Sequence, residues 1–165
     1  MRNEKLREVF NKLGYENVQT VITSGNVLFE SPSRGVKELE ATIEKAIEKQ
    51  LGFTSATIIR SHQHLTRLIA DNPFGRIEDA STTRLNVTFL QQKQQTDLRF
   101  PYRAEEKGWS VIGMNGREIF SVIDLSGATT PDVMAWLEKQ FGKAVTTRTW
   151  KTVGRIVKRL DSSVE

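Results

Sequence analysis

The chain has 165 residues, 38% of them apolar and 27% charged, with a net charge of +4 and no cysteine. That composition belongs to a water-soluble globular protein of one domain or two small ones. It excludes disulfides, thiolate catalysis, iron–sulfur clusters and cysteine-based zinc sites, and no apolar run approaches the ~20 residues that cross a bilayer.

In chain order, Leu6, Val9, Phe10 and Leu13 recur at helical spacing and Gly14 follows as a cap, so residues 4–13 read as a helix. Val18–Ile22 and Asn26–Phe29 are apolar and β-branched runs around Thr23-Ser24-Gly25, a hairpin. Val36, Leu39, Ile43, Ala46, Ile47 and Leu51 line one face of a second helix, closed by Gly52. Ala56–Ile59 reads as a short strand. Ser61 caps a helix bearing Leu65, Leu68 and Ile69, which ends at Asn72-Pro73.

Residues 74–83 are polar and aperiodic and read as a linker. Leu85, Val87 and Phe89 then alternate as a strand. Leu98–Glu106 reads as a helix with Pro101 in its first turn. Trp109–Met114 and Arg117–Ile123 flank Asn115-Gly116, the preferred pair for a type I′ hairpin turn. Thr130-Pro131-Asp132 opens a helix carrying Val133, Trp136, Leu137 and Phe141. Ala144–Thr147 is a strand and residues 150–160 are a last helix.

The first half thus reads α-β-β-α-β-α and the second β-(α)-β-β-α-β-α. The match in pattern predicts an α+β fold of two tandem ferredoxin-like (split β-α-β) units, the first without its opening strand. The expected domains are 1–74, the first unit plus an extra helix, and 84–165, the second unit with a C-terminal basic helix.

Thr20–Phe29, with Ser24-Gly25-Asn26 at its centre, and Thr146–Val153, with Thr147-Arg148-x-Trp150, resemble a bacterial family known only as domain of unknown function 1697. Leu13–Val18 and Asn72-Pro73-Phe74 resemble the same family. The resemblance implies two ferredoxin-like units and no biochemistry. This chain departs from the family pattern in lacking its N-terminal strand and Arg-Gly-Ile-Asn-like loop, and in having Thr149 where the family favours Asn. A central strand cannot simply be deleted, because each orphaned hydrogen-bonding group costs ~1–3 kcal/mol. A replacement is therefore expected: a strand from the other half, a partner chain (a homodimer through the exposed sheet edge), or direct pairing of Ala56–Ile59 with the hairpin.

Chemistry concentrates near the C-terminus. Lys143, Arg148, Lys151, Arg155, Lys158 and Arg159 lie between Lys143 and Leu160 with no acid among them, while the other 18 cations and 20 acids leave the remainder at −2. The plain reading is a solvated helix face; the functional reading is a site for a small anionic ligand, a phosphate or carboxylate. Its expected residues are Thr147, Arg148, Thr149 and Lys151, with Ser24 and Asn26 as polar additions. An alternative is weak nonspecific nucleic-acid contact through Lys151, Arg155, Lys158 and Arg159. His62 and His64, two apart, do not share a helix face, which argues against a metal site. No nucleophile-beside-base pattern is legible, so an enzyme of unrecognised type has the least support, and no cofactor is implied. A cytoplasmic location is expected, since Met1–Lys5 is not followed by the apolar core of a signal peptide.

Overall fold

The computed structural model describes residues 3–22, 25–32 and 35–163, without the side chain of Glu105. Among these residues the protein is α+β, with five α-helices and two antiparallel sheets, of two and five strands. The chain divides into two compact units, Met1–Ile59 and Arg60–Glu165. None of the described helices is long and apolar enough to cross a membrane.

The first unit contains α1 (Asn3–Lys12), β1 (Glu16–Val21), β2 (Asn26–Glu30) and α2 (Val36–Leu51). The apolar stripes of the two helices meet as expected: Leu6, Val9 and Phe10 pack with Ile43, Ala46 and Ile47. The hairpin covers this core with Val18, Val27 and Phe29, and Phe29 stacks on Tyr15 at 4.8 Å. Gly52 ends α2 at φ +77, a conformation that glycine adopts without steric cost.

Ala56–Ile59 is not a strand. The segment joins neither sheet among the described residues. The N–H of Thr57 donates to Glu44 Oε1 and that of Ile59 to Glu40 Oε2, both at 2.9 Å. The spacings explain why this works. Four residues of helix rise about 6 Å, and two residues of extended chain advance about 6.5 Å. Two carboxylates one turn apart on α2 therefore match two amides on the same side of an extended segment. The helix supplies acceptors that a neighbouring strand supplies in a sheet, and Ile59 still reaches the core.

The second unit contains α3 (His62–Asp71), β3 (Thr83–Leu90), β4 (Tyr102–Ala104), a 3-10 turn at Glu105–Lys107, β5 (Trp109–Met114), β6 (Glu118–Asp124), α4 (Met134–Phe141), β7 (Val145–Thr149) and α5 (Trp150–Ser162). The sheet order is β4-β5-β6-β3-β7, with β3 between β6 and β7. On one face Leu90, Trp109, Val111, Ile119 and Ile123 pack with Val133, Leu137 and Phe141 at α4. By strand alternation the other face carries Leu85, Val87, Phe89 and Phe120, all buried.

Four local expectations change. Leu98–Glu106 contains β4 instead of a helix. An extended chain lets Tyr102 and Ala104 point the same way, and Tyr102 stacks on Trp136 at 4.9 Å. Residues 74–83 do not all behave as a linker: Phe74 is 3% exposed and meets the rings of Trp150 at 5.2 Å and Phe120 at 5.8 Å. The Asn115-Gly116 turn is not type I′, because only Gly116 has positive φ (+91). Asn115 works through its side chain, whose Oδ1 accepts from the N–H groups of Arg117 (3.0 Å) and Glu118 (2.7 Å). Finally, α4 begins at Met134, with Asp132 Oδ1 accepting from its N–H at 2.9 Å. Pro131 lies against Gly108, where a Cβ would come within 2.5 Å of the proline ring.

Candidate functional site

The basic stretch folds as an edge strand turning directly into a helix. Thr149 is the N-cap of α5: its Oγ1 accepts from Thr152 N–H at 3.2 Å and donates to Thr152 Oγ1 at 3.0 Å. Val153 and Val157 are buried while Lys151, Arg155, Lys158 and Arg159 are exposed. The helix is thus amphipathic, as its sequence pattern requires. Trp150 anchors the junction against Phe74.

Strand alternation separates the candidate ligands on β7. Thr147 is opposite Thr88 and Thr149 opposite Asn86, so these two share one face. Thr147 Oγ1 bonds Thr88 Oγ1 at 2.7 Å and donates to Met134 Sδ at 2.8 Å. Arg148 is opposite Val87 and points to the other face with Thr146. Its guanidinium donates to Thr146 Oγ1 at 2.6 Å and to Thr147 O at 2.9 Å. Half-buried, it has a pKa lowered by the loss of water around its charge. Arg148 and Lys151 are therefore the charged members at the β7–α5 junction, while Thr147 and Thr149 turn to internal partners.

On the Thr147 face, Asn86 and Ser121 are opposite each other across β3 and β6. Asn86 Oδ1 and Ser121 Oγ are buried there and make no hydrogen bond among the described residues.

Asn26 lies in the first unit, buried, with Nδ2 donating to Val21 O at 3.1 Å. That bond joins the end of β1 to the start of β2. Ser24 lies outside the described residues.

The second unit also holds a polar cluster that no sequence pattern signals. Glu118, the first residue of β6, has a fully buried side chain. Arg60, whose side chain is 6% exposed, donates from Nε to Glu118 Oε2 at 3.1 Å. Its Nη2 donates to Leu90 O at 2.7 Å and Arg117 O at 3.0 Å, and its guanidinium lies 5.5 Å above the Phe89 ring. Glu118 Oε1 takes His64 Nε2 at 2.5 Å and Asn115 Nδ2 at 3.3 Å. His62, one position beyond Ser61, pairs instead with Asp161 at 2.7 Å. Residues 54 and 58 apart in sequence leave no local trace of such a grouping. The only hint was a glutamate among the apolar residues of β6. Among the described residues no cluster of three or more acids and histidines is arranged to hold a metal ion.

Residues 1–120 match the family model described as "Protein of unknown function (DUF1697)". The Thr146–Val153 motif lies beyond the matched residues. None of the curated proteins matches the chain. Among solved structures, the conserved bacterial protein SP0830 from Streptococcus pneumoniae is similar, with 20% identity and a TM-score of 0.70 over 98% of this chain and 89% of that one. At that identity the likeness speaks for the fold alone. The match over most of its length places this chain in the DUF1697 family of proteins of unknown function.

Proposed function

We propose that the protein is a noncatalytic binding module for a small anionic ligand, a phosphate or carboxylate, held at the β7–α5 junction by Arg148 and Lys151. The observation that carries the reading is Arg148 itself. It is a half-buried guanidinium that donates to Thr146 Oγ1 and Thr147 O, in a stretch with six cations and no acid. Such a group, already stripped of much of its water, gains more from a bidentate oxyanion than an exposed cation does. Titration with inorganic phosphate and with small phosphate- or carboxylate-bearing compounds, followed by calorimetry, tests it. Arg148→Ala is expected to weaken binding by about tenfold or more, the effect of one charge-assisted contact. Equal binding by the two proteins removes the reading.

A second reading rests on the exposure of Lys151, Arg155, Lys158 and Arg159 along α5. Four phosphate contacts predict that log K falls against log salt with a slope of about −3.6 on duplex DNA. A flat salt response removes this alternative. As to architecture, we read both units as variants of the split β-α-β arrangement. The strand order β5-β6-β3-β7 supports this in the second unit, and the α-β-β-α order supports it in the first.

A further inference from the structure

His62 and His64 form a controlled pair. Both lie in the first turn of α3, both side chains are 35% exposed, and both use Nε2 to meet a carboxylate. They differ in that carboxylate. Asp161 is 61% exposed, whereas Glu118 is fully buried and fixed on its other oxygen by Arg60. A carboxylate only accepts, so Nε2 of a neutral His64 carries the proton and Nδ1 carries the lone pair. Among the described residues Nδ1 makes no hydrogen bond. The ring is thus held in one tautomer by a buried carboxylate, with a basic nitrogen left over, an arrangement that strengthens an imidazole as a nucleophile.

We propose that His64 is a phosphoryl-accepting histidine that takes the group on Nδ1 from a donor with a phosphorus–nitrogen bond. The lone pair of Nδ1 attacks phosphorus and the donor's P–N bond breaks. With phosphoramidate as donor, its nitrogen leaves as ammonia with the three hydrogens it already carried. Nε2 keeps its proton, the ring becomes positive, and Glu118 lies against that charge at Nε2. The product places a phosphoryl dianion in the first turn of α3, which contains no acid and where the helix dipole favours negative charge. Arg67, exposed and three residues on, is the nearest cation along the helix surface. The same geometry makes His62 the poorer acceptor, because its exposed partner shares its charge with water.

The experiment uses the whole chain and potassium phosphoramidate, with intact mass and phosphorus NMR as readouts. His64 is expected to be phosphorylated at Nδ1, about tenfold faster than His62, the factor that one charge-assisted hydrogen bond supplies. His62→Gln is expected to react like wild type, and His64→Gln to lose the fast phase. Equal rates at the two histidines, or attachment at Nε2 of His64, overturns the proposal. Glu118→Gln keeps the shape and removes the charge. It is expected to slow His64 about tenfold while leaving His62 unchanged, a split that general loosening of the fold does not produce. An unchanged His64 rate in folded Glu118→Gln overturns the role of Glu118. Should that variant not fold, the comparison of His62 with His64 in wild type decides the question.

Discussion

Glu40 in the first unit and Glu118 in the second are both buried glutamates, 4% and 0% exposed, with different work to do. Glu40 sits mid-helix and its Oε2 accepts a backbone amide, that of Ile59. With Glu44 it lets an extended segment dock on a helix without joining a sheet. Glu118 opens a strand inside a five-stranded sheet whose backbone is already paired, and its carboxylate meets two side chains, Arg60 and His64. Glu40 docks the Ile59 amide on α2, and Glu118 holds Arg60 and His64 together. The lesson is that burial of an acid does not by itself mark a functional site.

Glu118→Ala removes the carboxylate that buried Arg60 donates to, and is expected to cost ~3–5 kcal/mol by urea denaturation. Replacing both Arg60 and Glu118 by leucine should recover most of that loss, since two charges are removed together. Glu40→Ala is expected to cost less, ~1–3 kcal/mol, the penalty of an orphaned amide. In hydrogen exchange the Ile59 amide should lose protection first, and Glu40→Gln, which keeps an acceptor oxygen, should retain it. Equal losses for the two alanine variants would erase the distinction.

Helix starts extend the contrast. In the second unit α3 and α5 are capped by the hydroxyls of Ser61 and Thr149, whereas α2 in the first begins at Gly35 with no side-chain cap. Thr149→Ala is expected to cost ~1 kcal/mol in thermal unfolding, and Thr149→Ser close to nothing.

The smallest effect concerns an exposed carboxylate. Asp124 accepts from Ser126 Oγ at 2.6 Å and from Ser126 N–H at 2.9 Å, and these bonds hold its pKa below the usual carboxylate range. A depressed folded pKa contributes stability above the unfolded value of about 4, lost as pH falls through the folded one. Ser126→Ala should move the Asp124 titration upward in carbon NMR, and an unmoved titration would show that the backbone bond alone suffices.

Much of the fold was legible. Leu39, Ile43 and Ile47 place α2 unambiguously, because a stripe at 3.6-residue spacing has one way to be buried. Ser61 caps α3 where a short polar side chain precedes the apolar run. The misses share a cause. Ala56–Ile59 carries a strand's composition, but composition does not say whether another strand or a helix carboxylate takes its amides. The backbone angles that asparagine tolerates suggest a type I′ turn at Asn115, whereas its side chain makes the turn. Phe74 sits among polar residues, and only Trp150 and Phe120, far off in sequence, give it a place in the core.

The candidate site divides the same way. The sequence by itself determined the basic face of α5 and the cation-rich run from Lys143 to Leu160, because charge and helical period are local properties. It also marked residues 1–120 well enough for the family to be assigned. Only the tertiary structure decided that Thr147 and Arg148 point to opposite faces of β7, since this depends on where the strand begins and which neighbours it pairs with. Only the tertiary structure gathered Arg60, His64 and Glu118. Their attraction needs a site screened from water, and no residue carries a mark of the dielectric it will meet once the chain has closed around it.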